Sequence, residues 1–458
     1  MTKSGWGIQL FLLAGMLLTV FIHPVIDQLI DQREVQPAIL DGVDGSGKEY
    51  TVSEGDYRLA EPLVIEGHGT SNEPIVITVE GVFHQPTSEP AIIIKGDWIK
   101  LIGMEIDGSN DVVSQPAITI TNASNILIQD CNIHSGTGNG ILITNGANNV
   151  EIDNCTISNM DELANGIYNP IPQILFCLLG IGSLVVTIYN PEKSIPIAMI
   201  GALILVSVTP LAHNQFFRGD GRDSHGIAIM SGTSNVHIHD CEIWGNSGDS
   251  IQIVYVGPSN AIPADNVLIE NNTLWGNREE SIDVKTSSNV KIINNQFSGS
   301  RSATTSSGGK LVVIHGNPMN VEVSNNEFSW ASRGISSHAA NTPKYQEWPK
   351  LPVNISINNN SFDLIDGGMF GDGIVVDVYD SRNVIVENNT YDDVGIFFMD
   401  REKPESVVIV RDNIEQSIDD REEPEFYGNI PEWGAYLAQN LVLLSIPVGG
   451  ILYFVRKR

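Results

Sequence analysis

The chain has 458 residues, too many for one ordinary compact core, so repeats or several domains are expected. It carries 55 acidic against 25 basic residues, a formal net charge of −30. That balance excludes a nucleic-acid backbone as partner and disfavours docking of the folded part on anionic lipid. Four cysteines in a chain of this length do not make a disulfide framework.

In chain order, the first element is an apolar run from Trp6 to Ile26 that meets no charge before Asp27. No small-x-small cleavage site follows it and its length suits a bilayer, so residues 1–34 read as an uncleaved signal anchor. Residues 35–170 then change character, becoming polar, rich in Asn and Gly, and broken into short apolar runs. Within and beyond them a nine-residue pattern recurs: Asn, aliphatic, any, aliphatic, any, a polar pair, any, apolar. Its clearest copies are NILIQDCNI from Asn125, NVEIDNCTI from Asn149, NVHIHDCEI from Asn235, NVLIENNTL from Asn266 and NVKIINNQF from Asn289. NVEVSNNEF from Asn320, NISINNNSF from Asn354, NVIVENNTY from Asn383 and the looser SVVIVRDNI from Ser406 continue it. An earlier copy, WIKLIGMEI from Trp98, lacks the Asn.

Adjacent copies are mostly 23 to 34 residues apart, the spacing of stacked structural repeats. Alternation with period two makes each copy a strand with one buried face. A second strand follows most copies: AITI at Ala117, GILI at Gly140, GIAI at Gly226, SIQI at Ser250, SIDV at Ser281, GIVV at Gly373 and GIFF at Gly395. Two or three short strands per repeat, joined by tight turns, describe a parallel β-helix coil. Asn in the polar pair serves the bend, because it leaves β geometry at low cost, and its side chains can hydrogen-bond from coil to coil. Cys131, Cys155 and Cys241 take the second ladder position as small buried fillers.

Residues 171–212 interrupt the pattern. Ile171 to Tyr189 and Ile195 to Ala212 are each long enough to cross a bilayer, and only Asn190 to Ser194 separates them, so a transmembrane helical hairpin is expected. Gly166-Ile167 looks like a second strand and Asn214 to Phe216 like the end of the next first strand, as if one coil had been opened. The repeats resume over 213–418, a linker covers 419–434, and a last apolar run from Ala435 to Val455 stops at Arg456-Lys457-Arg458 within 435–458. Lys3, Lys193 and that basic tail fall on one side if all four segments span. The chain is therefore expected to be a multi-pass cell-membrane protein with both termini cytoplasmic and its repeats extracytoplasmic. Small residues at Gly180, Gly182, Ser183, Gly201 and Ala202 suit close packing on the helices of a membrane protein partner.

The opening segment EPLVIEGHGTSNEPIVITVEG from Glu61, with IIIKGDWIKLIGMEIDG up to Gly108, resembles the first coils of the pectin-lyase-like superfamily. RDSHGIAI from Arg222, NSGDSIQI from Asn246 and EESIDVK from Glu279 are similar to successive coils of its polysaccharide-lyase-like members. The resemblance implies an all-β fold, a right-handed parallel β-helix, here with four transmembrane α-helices added. It also implies an acidic polysaccharide as partner, bound or cleaved along the solenoid. A superfamily with many functions leaves a non-enzymatic scaffold within a membrane complex as the alternative.

Aligning the second strands puts His225, Asp249, Glu280, Arg333 and Asp372 in one column, with Asp283 and Lys285 pointing outward on the Ile282 strand. Coils about 4.8 Å apart would crowd the carboxylates, and a Ca²⁺ held by Asp249, Glu280 and Asp283 would relieve the repulsion. In the lyase-like reading that the resemblance implies, Lys285 is the base and Arg333 grips a substrate carboxylate, with His225 beside them. Neighbouring carboxylates, however, raise the pKa of a lysine, opposite to what a base needs. A hydrolase would use Asp249 and Glu280 as acid and base, and an ion-paired turn ladder would use them for neither. Separately, His237 and His239 form an outward His-x-His on one strand, with Glu270 alongside His239, and two such histidines can share a metal. Trp244, Trp275 and Trp330 follow ladder strands and could form a shelf for sugars.

Overall fold

The computed structural model describes residues 47–109, 114–160, 223–254, 262–299, 309–339, 351–365, 373–400 and 407–416. The four apolar runs and the linker before the last one lie outside these residues. Among the described residues no helix is long and apolar enough to cross a membrane.

Short parallel strands wind into a three-faced coil. The repeat copies form the first face, strands of mostly three residues such as Glu242–Trp244 the second, and strands such as Ile251–Ile253 the third. Each strand between the end rungs pairs in parallel with its equivalents one turn below and one turn above. The first and third faces join into one 21-stranded sheet, because the strands Ile92–Ile102 and Ile118–Gln129 run round the corner between them, while the second face is a separate 12-stranded sheet. At that corner Gly96 has φ 108°, and a Cβ there would lie 2.0 Å from the carbonyl oxygen of Gly67, so no other residue fits.

The nine-residue pattern now reads as two bends and a ladder. The Asn that begins each copy, from Asn125 to Asn383, adopts φ between 53° and 58°. The first residue of the polar pair does the same, with Asn271, Asn294, Asn325, Asn359 and Asn388 at φ 54° to 57°. Asn reaches this left-handed region more easily than other side-chain-bearing residues, which is why the sequence spends it there. Trp98, standing where later copies have Asn, takes the same conformation at φ 56°.

The second residue of the pair turns inward and is buried. Asn326 donates from its own amide nitrogen to Ile292 O at 2.9 Å and to Asn360 Oδ1 at 3.0 Å, and its Oδ1 accepts from the backbone N–H of Asn295 at 2.8 Å. The same arrangement links Asn272, Asn295, Asn326, Asn360, Asn389 and Asn413. Cys131, Cys155 and Cys241 continue that column as buried free thiols. Inside, Ile118, Ile141, Ile227, Ile251 and Ile282 stack in register, and Phe297, Phe328 and Phe362 stack with centroids 4.7 Å apart.

The described rungs on either side of residues 160–223 pair directly with one another. Ile141 pairs directly with Ile227, Asn148 with Ser234 and Thr156 with Glu242, and each strand has a neighbour on its other side as well. Gly166-Ile167 and Asn214 to Phe216, expected at the edges of the opened coil, lie outside the described residues.

Replacing Asn326 by Ala would strand the buried backbone N–H of Asn295 and open a gap in the ladder. The expected loss is about 1–3 kcal/mol of unfolding free energy, read from urea denaturation of the variant. A change of only a few tenths would show that the ladder adds nothing beyond backbone stacking.

Candidate functional site

On the outside of the third face, the strands Ile251–Ile253, Ile282–Val284, Lys310–His315 and Arg333–His338 lie on consecutive rungs. Ile282 and Val284 point into the core, so Asp283 points away from it, as the alternation predicts. Asp249 and Glu280 precede their strands on neighbouring rungs. The three carboxylates offer one oxygen each within 4.8 Å of one another. All are buried, at 0%, 3% and 4% exposure for Asp249, Glu280 and Asp283. So close a grouping leaves no room for the water that an inverting acid–base pair keeps between its carboxyls, which needs a separation of about 6.5–9.5 Å.

Register also corrects the charged column. Lys310 stands on the rung between Glu280 and Arg333, and Arg333 is one rung farther from the carboxylates than the sequence alignment has it. Asp372 lies outside the described residues, and the pairing of Ile335 with Val376 carries Ile374, not Asp372, opposite Arg333. Lys310 was missed because KLVVIH breaks the small-residue opening of the other second strands, although its aliphatic run marks a strand.

Cations interleave the carboxylates. Lys285 Nζ is 3.1 Å from Asp283 Oδ2, and Lys310 Nζ is 3.3 Å from Glu280 Oε1. Asp249 accepts from the backbone N–H of Glu280 at 2.9 Å and from Gln252 Nε2 at 3.0 Å. The backbone N–H of Asp249 donates to His225 Nδ1 at 2.9 Å, and the same nitrogen lies 3.2 Å from Asp249 Oδ2. His315, also absent from the sequence-derived set, brings Nδ1 to 3.5 Å from Asp283 Oδ1. That approach lacks hydrogen-bond geometry, so both atoms are buried without a partner.

These contacts split the ionisation states. Burial pushes Asp249 up, but the hydrogen bond and charge of His225, together with Lys285, hold it at about 2. Burial and then the charge of Asp249 push Glu280 well above the carboxylate range. Burial works to lower Lys285, yet Asp283 and Asp249 outweigh it and raise its pKa, which keeps the amine protonated. Burial lowers His315, which keeps that imidazole neutral. His338, stacked on His315 with centroids 5.2 Å apart, is pushed down to about 3 by burial and by His315. Glu279, next to the cluster, is raised to about 7 by burial and by Asp249 and Asp223.

The aromatic shelf is smaller than the sequence suggests. Trp244 and Trp275 stack at 4.8 Å, but Trp275 is buried, and Ser298 and Ser329 continue their column instead of Trp330.

The sequence pattern of a family described as "Right handed beta helix region" matches residues 90–171 and 188–328. The described residues form a right-handed parallel β-helix. No match was found among curated proteins. Among solved structures, this β-helix is similar to a surface adhesin of Streptococcus pneumoniae, PfbA, at 14% identity and TM-score 0.53, covering 81% of this chain and 84% of that one. It is also similar to the A-module of a mannuronan C-5 epimerase of Azotobacter vinelandii, at 14% identity and TM-score 0.49, covering 81% of this chain and 91% of that one. Identities this low speak for the fold alone.

The Glu279 carboxyl binds its proton more tightly folded than unfolded. Its contribution to stability is complete below its ordinary value of 4.5 and disappears as pH rises through about 7. Glu279→Gln mimics the protonated form, so with a chelator present its unfolding midpoint should gain on the parent across that window. Parallel pH profiles for the two proteins would contradict the assignment.

Proposed function

We propose that this β-helix is held at the extracytoplasmic side of a cell membrane, where its third face binds and cleaves an acidic polysaccharide by lyase-type chemistry. The observation that carries the reading is the meeting of Asp249, Glu280 and Asp283 within 4.8 Å, with Lys285, Lys310 and the neutral His315 around them. The donor set is all oxygen, as Ca²⁺ prefers, and the unpartnered Asp283 Oδ1 is the kind of orphaned lone pair that a cation satisfies. Held by these three carboxylates, calcium would supply the positive charge that neutralises a uronate carboxylate and acidifies the proton beside it.

The remaining steps fall to side chains. A base takes the acidified C–H proton, the freed electron pair forms a carbon–carbon double bond in the ring, and the neighbouring glycosidic C–O bond breaks with its electrons leaving on the oxygen, which takes a proton from water. Lys285, protonated against Asp283, is suited to gripping an anion and becomes a base only when the Asp283 charge is engaged elsewhere. His315 is neutral and already able to accept a proton. Lys310 and Arg333, on adjacent rungs, offer fixed positive charge to successive carboxylates of a polymer. The membrane part of the reading rests on the four apolar segments and on Lys3, Lys193 and the Arg456–Arg458 tail sharing one side.

The purified full chain with calcium is expected to act on polygalacturonate or alginate, giving products with the ultraviolet absorbance of a double bond conjugated to a carboxylate. Chelation should abolish the signal. Lys285→Ala or His315→Ala, whichever removes the base, should lower kcat by roughly 100- to 10,000-fold. No binding of either polymer, with or without calcium, would overturn the reading, and co-purification of a stoichiometric membrane partner instead would favour the scaffold. In intact cells, externally added protease should cut the solenoid and spare tags on both termini. The opposite pattern would reverse the topology.

A further inference from the structure

A second cluster lies on the first face and takes no part in the site described above. There the strands Asn148–Asp153, Ser234–His239 and Ala264–Glu270 occupy consecutive rungs. Register places Glu151 beside His237 and Asp153 beside His239, with Glu270 beside His239 on the rung beyond. Alternation along the strand sends both histidines outward, and their rings stack with centroids 4.2 Å apart. Glu151 Oε1 is 3.1 Å from His239 Nε2, and Glu270 Oε1 is 2.8 Å from His237 Nε2. One ligand atom each from Glu151, His237 and His239 lie within 4.8 Å of one another.

We propose that Glu151, His237 and His239 bind a divalent transition-metal ion of the zinc class and so clasp the two rungs that flank the inserted segment. Two imidazoles and one carboxylate select a borderline ion such as Zn²⁺ over the hard Ca²⁺ suited to the all-oxygen cluster. The surroundings already resemble a metal site's supporting shell. Asp240 Oδ2 is 2.7 Å from His239 Nδ1, which fixes the ring and leaves Nε2 for the ion. Three protein ligands leave a fourth position open, and side-chain exposures of 50% for Glu151 and 34% for His237 let an ion in from solvent.

The position along the chain gives the ion a structural job. Successive copies elsewhere are mostly 23 to 34 residues apart, whereas Glu151 and His237 are separated by 86. These rungs must find each other across the longest intervening stretch in the solenoid, and a link that closes a long loop removes more chain entropy than one closing a short loop.

The test uses the full chain, purified without a histidine tag and stripped with chelator. Titration with Co²⁺ should give a visible d–d absorbance of tetrahedral type that saturates at one equivalent, is displaced by Zn²⁺ and is unmoved by excess Ca²⁺. Zn²⁺ should also raise the thermal unfolding midpoint. His237→Ala should abolish the absorbance. Asp240→Asn, which keeps a residue suited to the left-handed backbone there, should retain it with roughly 10- to 100-fold weaker affinity. Asp249→Asn, in the other cluster, should leave cobalt binding as it is. No saturable absorbance, or an absorbance that survives His237→Ala, would overturn the proposal.

Discussion

Parallel stacking at one rung per turn is the constraint on which this molecule depends. With neighbouring strands about 4.8 Å apart and in register, each side chain meets its own equivalent above and below before it meets anything else. Inside, that favours identical shapes: isoleucine on isoleucine, phenylalanine ring on phenylalanine ring. At the bends it requires a residue that tolerates a left-handed backbone, followed by one that can hydrogen-bond to a copy of itself. Asparagine meets both needs, because its amide is donor and acceptor at once.

The same rule works against charge. A carboxylate on one rung meets whatever stands on the next, and Asp249 meets Glu280. The conflict is handled by interleaved cations and by splitting the ionisation states, with Asp249 held low and Glu280 pushed high. A buried network of this kind is costly for stability, since charges removed from water gain little over well-packed apolar groups. In the same outward column as Asp283, the rungs around it carry the neutral Ala228, Gln252, Val313 and Ser336. A concentration of charge at one place on a face that can be built from neutral residues is what distinguishes a candidate site from a fold requirement.

The two clusters differ in the chemistry they expose. The third-face group offers oxygen ligands deep among lysines, and the first-face group offers imidazoles and carboxylates nearer solvent. Both come from the same stacking of unlike rungs, and each joins two residues of one rung to a third from a neighbouring rung. The inserted segment makes the point most clearly, because Glu151 and His237 are strand neighbours despite the whole insertion lying between them.

The amino-acid sequence determined the parallel coil, the rung spacing, the bend positions and the trio of Asp249, Glu280 and Asp283, because each is a local pattern repeated at recognisable intervals. It did not reveal Lys310 or His315, whose strand lacks the usual small-residue opening. It placed Glu270 beside His239, which the register confirms, yet Glu270 bonds to His237 while Glu151 takes His239. Only the tertiary structure decided those matters. Repeat spacing tells which residues share a column, but the rung count between two columns, and the direction a long side chain leans, depend on hydrogen-bonded register and on neighbours that the linear pattern does not contain.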